Sequence, residues 1–192
     1  MRSRITPVAA DRAEVMLAPN KASVEVLTIR ALREAITFLS SLTKDSDFLG
    51  SNVSPLLERP GRVEDWFVAH RDVFPNGSSL QVFFWSPGSM TRIHDHASWG
   101  AFCCVASSLV EERYERLDDG SKADHASIRR LWRKTWKEEG GISTVLPYEG
   151  GIHRVGNPTG EPAISVHLYG PRLGTIDGRD YDPSRDFVCD RR

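Results

Sequence analysis

The chain of 192 residues carries 25 basic and 26 acidic side chains and a formal net charge of −1, so its charge favours neither nucleic acid nor an anionic membrane as a partner. We expect small-molecule partners and a single domain over residues 1–192. No apolar stretch approaches the roughly 18 residues of a membrane span, and the N-terminal residues lack the apolar core of a signal peptide. Three cysteines without metal-ligand spacing indicate reduced thiols. Together these features predict a cytoplasmic protein.

The N-terminal part of the chain predicts helices, over a segment of about residues 26–68. Residues 26–42 describe an amphipathic helix that packs outside a sheet, because their charged and apolar residues fall on different faces. The expected apolar face consists of Leu27, Ala31, Ala35, Phe38 and Leu42. A second short helix is expected around Pro55–Leu57 and a third over Val63–Val68.

From Leu80 onward, short apolar or alternating runs are separated by turn residues, a texture typical of an antiparallel sandwich or barrel. The runs that predict strands are 80–85, 92–96, 100–106, 109–117, 127–136, 143–147, 153–157 and 163–170. The run 127–136 also fits a helix. The barrel would span about residues 78–172, and we expect the tail after Tyr169 to be irregular and to lie on the surface.

Three histidines on predicted strands form a candidate metal site. His94 and His96 are two residues apart, so on a strand their side chains leave the same face and can bind one ion. His153 lies on a later strand. Imidazole is a common ligand for Fe, Zn, Cu or Ni, and three of them leave positions open for substrate. By itself, however, a His-x-His pair also fits a polar sheet face.

The glycines and prolines around these histidines carry a family resemblance. The first half of the first cupin motif is matched by Gly88, His94 and His96, with five residues between the first two and one residue between the last two. The second motif is followed, with one extra residue after its proline, by Gly141, Pro147, Gly150, His153 and Asn157. The sequence therefore resembles the cupin superfamily. That resemblance implies an all-β fold, a double-stranded β-helix or jelly-roll barrel with the N-terminal helices packed outside, and a metal on the three histidines.

The sequence departs from most cupins at one ligand. They carry a glutamate four or five residues after the second histidine, where this chain has Gly100 and Ala101. The predicted site is thus three neutral histidines without a carboxylate, and the metal would keep its full charge of two. Such an ion attracts anionic ligands such as a thiolate. Within cupins, this loss marks the thiol dioxygenases.

Two blocks, residues 85–100 and 151–170, look like the signature segments of the cysteine dioxygenase and 3-mercaptopropionate dioxygenase family, and the resemblance covers about residues 70–180. It implies Fe(II) held by three ligands: His94, His96 and His153. It also implies a hydrogen-bonded series toward the iron, formed by Ser165, His167 and Tyr169. Alternation along a strand would send these three side chains to one face, with the tyrosine hydroxyl near the open side of the metal.

The resemblance is to the bacterial members. Animal cysteine dioxygenases link a cysteine, five residues after the second histidine, to the tyrosine, and this chain has Ala101 there. We expect no crosslink, and we expect Cys103 and Cys104 to be small buried hydrophobic residues.

The arginine that would bind a substrate carboxylate is less clear from the sequence. Cysteine-specific members use one before the first barrel strand, where this chain has Trp66 or a neighbour. Mercaptopropionate-type members use one roughly nine residues beyond the tyrosine. Arg179 lies ten beyond Tyr169, with Arg172 nearer, and a guanidinium suits a carboxylate. Arg92 shares the strand parity of His94, and a second cation would suit mercaptosuccinate.

The expected function is therefore oxidation of a small carboxylate-bearing thiol by O₂ to its sulfinate, with Fe(II) as cofactor. Two alternatives stay open: a cupin dioxygenase acting on a non-thiol such as a β-diketone, and a non-catalytic cupin that binds a metal or a small ligand. Histidine spacing alone fits Zn, Ni or Mn equally. The sequence determines neither the particular thiol nor the oligomeric state.

Overall fold

The computed structural model describes residues 21–58 and 65–191, in which three helices precede two antiparallel sheets. The helices are α1 (Lys21–Leu42), α2 (Ser46–Asn52) and α3 (Ser54–Leu57), and a 3₁₀ turn covers Tyr148–Gly151. The strands are β1 (Trp66–Val73), β2 (Ser79–Trp85), β3 (Ile93–His94), β4 (Gly100–Ala106), β5 (Ser108–Arg116), β6 (Ile128–Lys137), β7 (Ile142–Val145), β8 (His153–Gly156), β9 (Ala163–Tyr169), β10 (Gly178–Asp182) and β11 (Phe187–Arg191).

The two sheets have the strand orders β1-β2-β9-β4-β7 and β11-β10-β3-β8-β5-β6. The expected all-β double-stranded β-helix with helices outside it is confirmed. The eight predicted strands are all present, with ends that differ by a few residues. Residues 127–136, which also fitted a helix, contain most of β6 at the edge of the second sheet. Its several arginines and lysines are typical of an edge strand protected against pairing with another chain.

Helix α1 packs on the outer face of the five-stranded sheet. Its buried residues Ala35 and Leu39 join a core with sheet residues such as Val82 and Val166. No helix within residues 21–58 or 65–191 is both long and apolar enough to span a membrane.

The expected apolar face of this helix is partly wrong. Leu27 is 60% exposed and Phe38 is 41% exposed, whereas Leu32 and Leu39 are buried. Apolar residues occur on both faces of α1, so its helical period alone does not decide which face the sheet covers.

Two further expectations are wrong because the segments concerned pair as strands. Residues 66–68 of the expected third helix lie in β1, which pairs with β2, while residues 63 and 64 lie outside the described part of the chain. The tail expected to be irregular forms β10 and β11, and β10 pairs with β3. Its Tyr181 and Val188 are buried in a small core with Ile93. The tail thus completes the second sheet beside the predicted metal ligands.

The docking of α1 can be tested with Leu39→Ala, which removes a fully buried side chain. We expect the free energy of unfolding to fall by about 2–5 kcal/mol, because the lost contacts leave a cavity between helix and sheet. Ile36→Ala, on the exposed side of the same helix, is the control and should change stability by about 0.5 kcal/mol or less. Chemical denaturation measures both, and equal losses would contradict this orientation of the helix.

Candidate metal centre and active site

The three predicted ligands meet in one place. His94 on β3 lies directly opposite His153 on β8, and His96 follows two residues after His94. The Nε2 atom of His96 is 3.1 Å from Nε2 of His94 and 3.2 Å from Nε2 of His153. Their ligand atoms all lie within 4.8 Å of one another.

Hydrogen bonds at the far side of two rings fix which nitrogen carries the proton. Nδ1 of His94 is 2.9 Å from the carbonyl oxygen of Arg92, and Nδ1 of His153 is 2.9 Å from a carboxylate oxygen of Glu111. Both partners can only accept, so each Nδ1 donates and each neutral ring presents the lone pair of Nε2. Two lone pairs therefore point at the same small volume, beside Nε2 of His96.

The spacing of these nitrogens fits a bound metal ion. Metal–nitrogen bonds of about 2.0–2.1 Å put two ligand nitrogens roughly 2.9 Å apart at a right angle and roughly 3.4 Å apart at a tetrahedral angle. The two short distances in this site, 3.1 Å and 3.2 Å, lie between those limits. Without an ion, adjacent lone pairs at this distance would repel one another.

Burial keeps the three imidazoles neutral. It lowers the pKa of His94 to about 4, with the charge of Arg191 adding to the effect. Burial, followed by the charges of neighbouring groups, also holds the pKa of His96 and of His153 well below the ordinary value. Neutral imidazole is the form that binds metals, so no proton has to leave before an ion enters.

A fully buried carboxylate, that of Glu111, orients one ligand from behind. It accepts from Nδ1 of His153 at 2.9 Å, from Nε1 of Trp136 at 2.9 Å, from the hydroxyl of Ser143 at 2.6 Å and from Nε of Arg113 at 2.7 Å. All four donors fit an ionised carboxylate. The arginine balances its charge, so the histidine ring is held without an acidic group bound at the metal position.

Gly100, at one position where most cupins place a glutamate ligand, makes room for Tyr169. A Cβ atom at Gly100 would lie 3.0 Å from Cδ1 of Tyr169 and 2.9 Å from a methyl group of Val145. Ala101, at the other such position, is buried in the outer core against α1. Among the described residues, the group that could hold a metal consists of the three histidines without a carboxylate.

The predicted polar series on β9 forms a continuous chain of hydrogen bonds, and Trp85 extends it. The indole Nε1 of Trp85 donates to the hydroxyl of Ser165 at 2.8 Å. Ser165 lies 2.7 Å from Nε2 of His167, and Nδ1 of His167 lies 3.0 Å from the hydroxyl of Tyr169. Ser165 accepts from the indole and can donate its own proton to Nε2; in that tautomer of His167, Nδ1 carries the proton donated to Tyr169.

This directed chain leaves the Tyr169 proton free to face the cavity. Burial lowers the pKa of His167 to about 3, so this ring stays neutral, and burial raises the pKa of Tyr169 above its usual range. The tyrosine ring lies 5.0 Å from that of His96, measured between centroids. The hydroxyl is therefore a neutral donor beside the ligand group.

Histidines and tyrosine share one cavity of about 860 Å³, lined by residues from both sheets. Phe83, Trp85 and Val155 give it an apolar wall. Two of the predicted carboxylate-binding arginines, Arg92 and Arg172, also line it. Such a cavity is large enough for a small molecule of a few heavy atoms, with cations at its rim.

Those two rim arginines already have partners. Arg92 is 83% exposed and lies 3.6 Å from a carboxylate oxygen of Asp180. Arg172 pairs with Asp177 near the end of the chain segment that follows β9.

The structure does not bring Arg179 to the three histidines. Alternation along β10 turns its side chain to the outer face of the sheet, the face that also carries Tyr181. There its guanidinium Nε donates to Asp95 at 2.9 Å, and Nη1 lies 3.2 Å from Glu149. Arg179 is thus a partner of Asp95, the residue between two ligands.

Sequence reasoning missed Glu111, which orients this site. Glu111 lies in a charged stretch that looks solvated, yet it shares its strand face with the fully buried Leu109. Trp85 shares a face with Phe83 and so with the cavity. Cys103 and Cys104 are buried as expected, and burial raises the pKa of their thiols to about 12 and about 11.

The β-helix and its cavity of three imidazoles define a cupin that lacks the usual glutamate ligand. The family model of cysteine dioxygenase type I matches residues 66–183, more than half of the chain. The chain therefore belongs to the cysteine dioxygenase type I family. This membership makes it a metal-dependent enzyme of the dioxygenase type that acts on a small molecule and O₂.

Several solved cupin structures are similar in fold. A conserved protein with a double-stranded β-helix domain from Klebsiella pneumoniae has 18% identity and a TM-score of 0.40, over 66% of this chain and 84% of that chain. A cupin family protein from Methanocaldococcus jannaschii has 12% identity and a TM-score of 0.42, over 60% and 86%. A cupin barrel protein from Salinispora arenicola has 18% identity and a TM-score of 0.37, over 53% and 72%. At these identities the likeness concerns the fold alone.

The role of Glu111 can be tested with Glu111→Gln. The amide has one acceptor oxygen where the carboxylate accepts from four donors, so the His153 ring loses its fixed orientation. We expect the metal affinity to fall by about 10- to 100-fold, measured by competition with a chelator. Glu112→Gln is the matched control, because that neighbour bonds Tyr114 and Arg154 instead. Equal metal affinity in both variants would contradict the assigned role.

Proposed function

We propose that this protein is an Fe(II)-dependent thiol dioxygenase that converts a small carboxylate-bearing thiol and O₂ to the corresponding sulfinate. The observation that supports this most is the donor set, which consists of three neutral imidazoles converging in one cavity without a carboxylate. When bound, the ion would supply vacant positions with an undiminished charge of two, suited to a thiolate and O₂. His94, His96 and His153 would hold it.

The chain's own residues would prepare the substrate for this chemistry. Phe83 and Trp85 give the cavity an apolar wall, and the chain from Trp85 would leave the Tyr169 hydroxyl as a donor. Tyr169 would position bound dioxygen or the substrate by that hydrogen bond. Ser165 and His167 would act through it by holding its oxygen in place.

The cations at the cavity support an acidic substrate. Arg92 and Arg172 line the cavity, and contact between these residues and a carboxylate remains a prediction. Candidate thiols are 3-mercaptopropionate, cysteine and mercaptosuccinate. The unpaired cysteines, Cys103, Cys104 and Cys189, suit a reducing compartment, so a cytoplasmic location stays part of the proposal.

The proposal is tested by loading the protein with Fe(II) and measuring oxygen uptake and sulfinate formation with each candidate thiol. We expect stoichiometric sulfinate from at least one of the three, and iron by elemental analysis of active samples. Predominant zinc together with no thiol oxidation after iron loading would contradict the proposal. Oxygen uptake with a β-diketone alone would indicate another cupin dioxygenase, and no uptake with iron retained would indicate a binding protein.

Tyr169→Phe tests the role of the hydroxyl. The ring keeps its place against Gly100 while the donor beside the ligand group is lost. We expect kcat to fall by roughly 100-fold, with metal content unchanged, because the tyrosine is not one of the three ligands. Tyr114→Phe is the control, since that hydroxyl bonds Glu112 away from the cavity. If the two variants retain equal kcat, Tyr169 has no part in the reaction.

A further inference from the structure

Arg191, another arginine that lines the cavity, comes from the tail that the sequence predicts to be irregular. It lies at the end of β11, directly opposite Gly178 on β10. Asp180 on β10 is opposite His94, and the ladder continues through a bond from the amide of Ala97 to the carbonyl of Asp177. Gly178 therefore lies level with His96, and Arg191 is one strand further away on the same row.

Because Gly178 has no side chain, the path between Arg191 and His96 is open. A Cβ atom there would lie 2.2 Å from the carbonyl oxygen of Asp95 and 2.8 Å from Nη2 of Arg191. The guanidinium thus crosses β10 through the space that any other residue would fill. Its Nη2 donates to the carbonyl of Asp95 at 2.6 Å, which places it beside the residue between His94 and His96.

Much of the donor capacity of Arg191 is unused. Its Nε is buried and has no hydrogen bond to any described residue. The carboxylate of Asp180 lies 3.5 Å from that Nε, an ion-pair contact longer than a hydrogen bond. A guanidinium has five N–H donors, and Arg179, by contrast, is engaged by two carboxylates on the outer face.

The position of Arg191 also distinguishes it from the arginines at the rim. Its side chain is 32% exposed, against 83% for Arg92 and 51% for Arg172. Partial burial strengthens an ion pair with an incoming anion relative to one at the surface.

We propose that Arg191 is the specificity residue that binds the carboxylate of the substrate, reaching it across Gly178. This inference rests on the proposed thiol dioxygenase function and adds the residue that selects for an acid group. Because Nη2 already touches the carbonyl of the residue between two ligands, the acid group and the sulfur must be joined by a short linker. A thiol acid with two carbons between sulfur and carboxylate matches that requirement.

The charge of Asp180 should affect binding of an acid in the opposite direction to the charge of Arg191. Its carboxylate lies between Arg191 and Arg92, at 3.5 Å and 3.6 Å, and would repel an acid group arriving at the same guanidinium. Removing its charge should therefore strengthen substrate binding, whereas removing the charge of Arg191 should weaken it. A merely structural ion pair predicts no such difference in sign.

The experiment is isothermal titration calorimetry on the Fe(II)-loaded protein without oxygen, with 3-mercaptopropionate and with 2-mercaptoethanol, a thiol lacking the carboxylate. For Arg191→Gln we expect binding of 3-mercaptopropionate to weaken at least 10-fold and binding of 2-mercaptoethanol to change less than 2-fold. For Asp180→Asn we expect tighter binding of the acid. Arg185→Gln, an exposed cation on the same hairpin, is the control and should match the wild type.

Metal content and thermal unfolding of each variant show whether it is folded. Equal weakening of both thiols by Arg191→Gln, no weakening of either, or a larger loss from Arg92→Gln would overturn the assignment, as would weaker acid binding by Asp180→Asn. A wild type that binds the acid through Arg191 but forms no sulfinate would refute the proposed function and leave Arg191 standing. If the wild type forms sulfinate and Arg191→Gln binds 3-mercaptopropionate as tightly as the wild type does, the proposed function stands and the role of Arg191 is refuted.

Discussion

Three imidazole Nε2 atoms gathered around one buried point are the constraint that organises the rest of this molecule. The direct pairing of His94 with His153 brings two short strands together, and acceptors behind both rings turn their Nε2 atoms inward. Such an arrangement is electrostatically unfavourable without a cation. The outer core between α1 and the five-stranded sheet contains none of the ligand residues, so its packing does not depend on that arrangement.

Each sheet contributes one polar network, and the two meet in the cavity. The six-stranded sheet supplies Glu111, which fixes His153 and is itself saturated by four donors. The five-stranded sheet supplies the hydrogen-bonded chain from Trp85 through Ser165 and His167 to Tyr169. One network therefore holds a ligand and the other aims a donor, and neither places a negative charge at the metal position. This division keeps the ion free to attract an anion.

Most strands and the ligand group could be predicted from the sequence, because a period of two and fixed motif spacing are local signals. The tail could not, since β10 and β11 have little local pattern and form only through pairing with β3. Arg179 was the expected carboxylate arginine because it lies ten residues beyond Tyr169. That spacing does not show which way the side chain points, and strand alternation along β10 turns it outward. The burial of Glu111 could not be predicted because it depends on hydrogen-bond donors that are distant in sequence, namely Trp136, Ser143 and His153.

Two glycines show how the fold shapes the space around the ligand group. Gly100 on the five-stranded sheet leaves room for the Tyr169 ring, and Gly178 on the six-stranded sheet leaves room for the Arg191 guanidinium. A larger side chain at either position would collide with that neighbour, so each glycine makes space for a group beside the histidines. One opening admits a neutral donor and the other a cation, each from its own sheet. A substrate held between them would have to be polar at both ends and short in the middle.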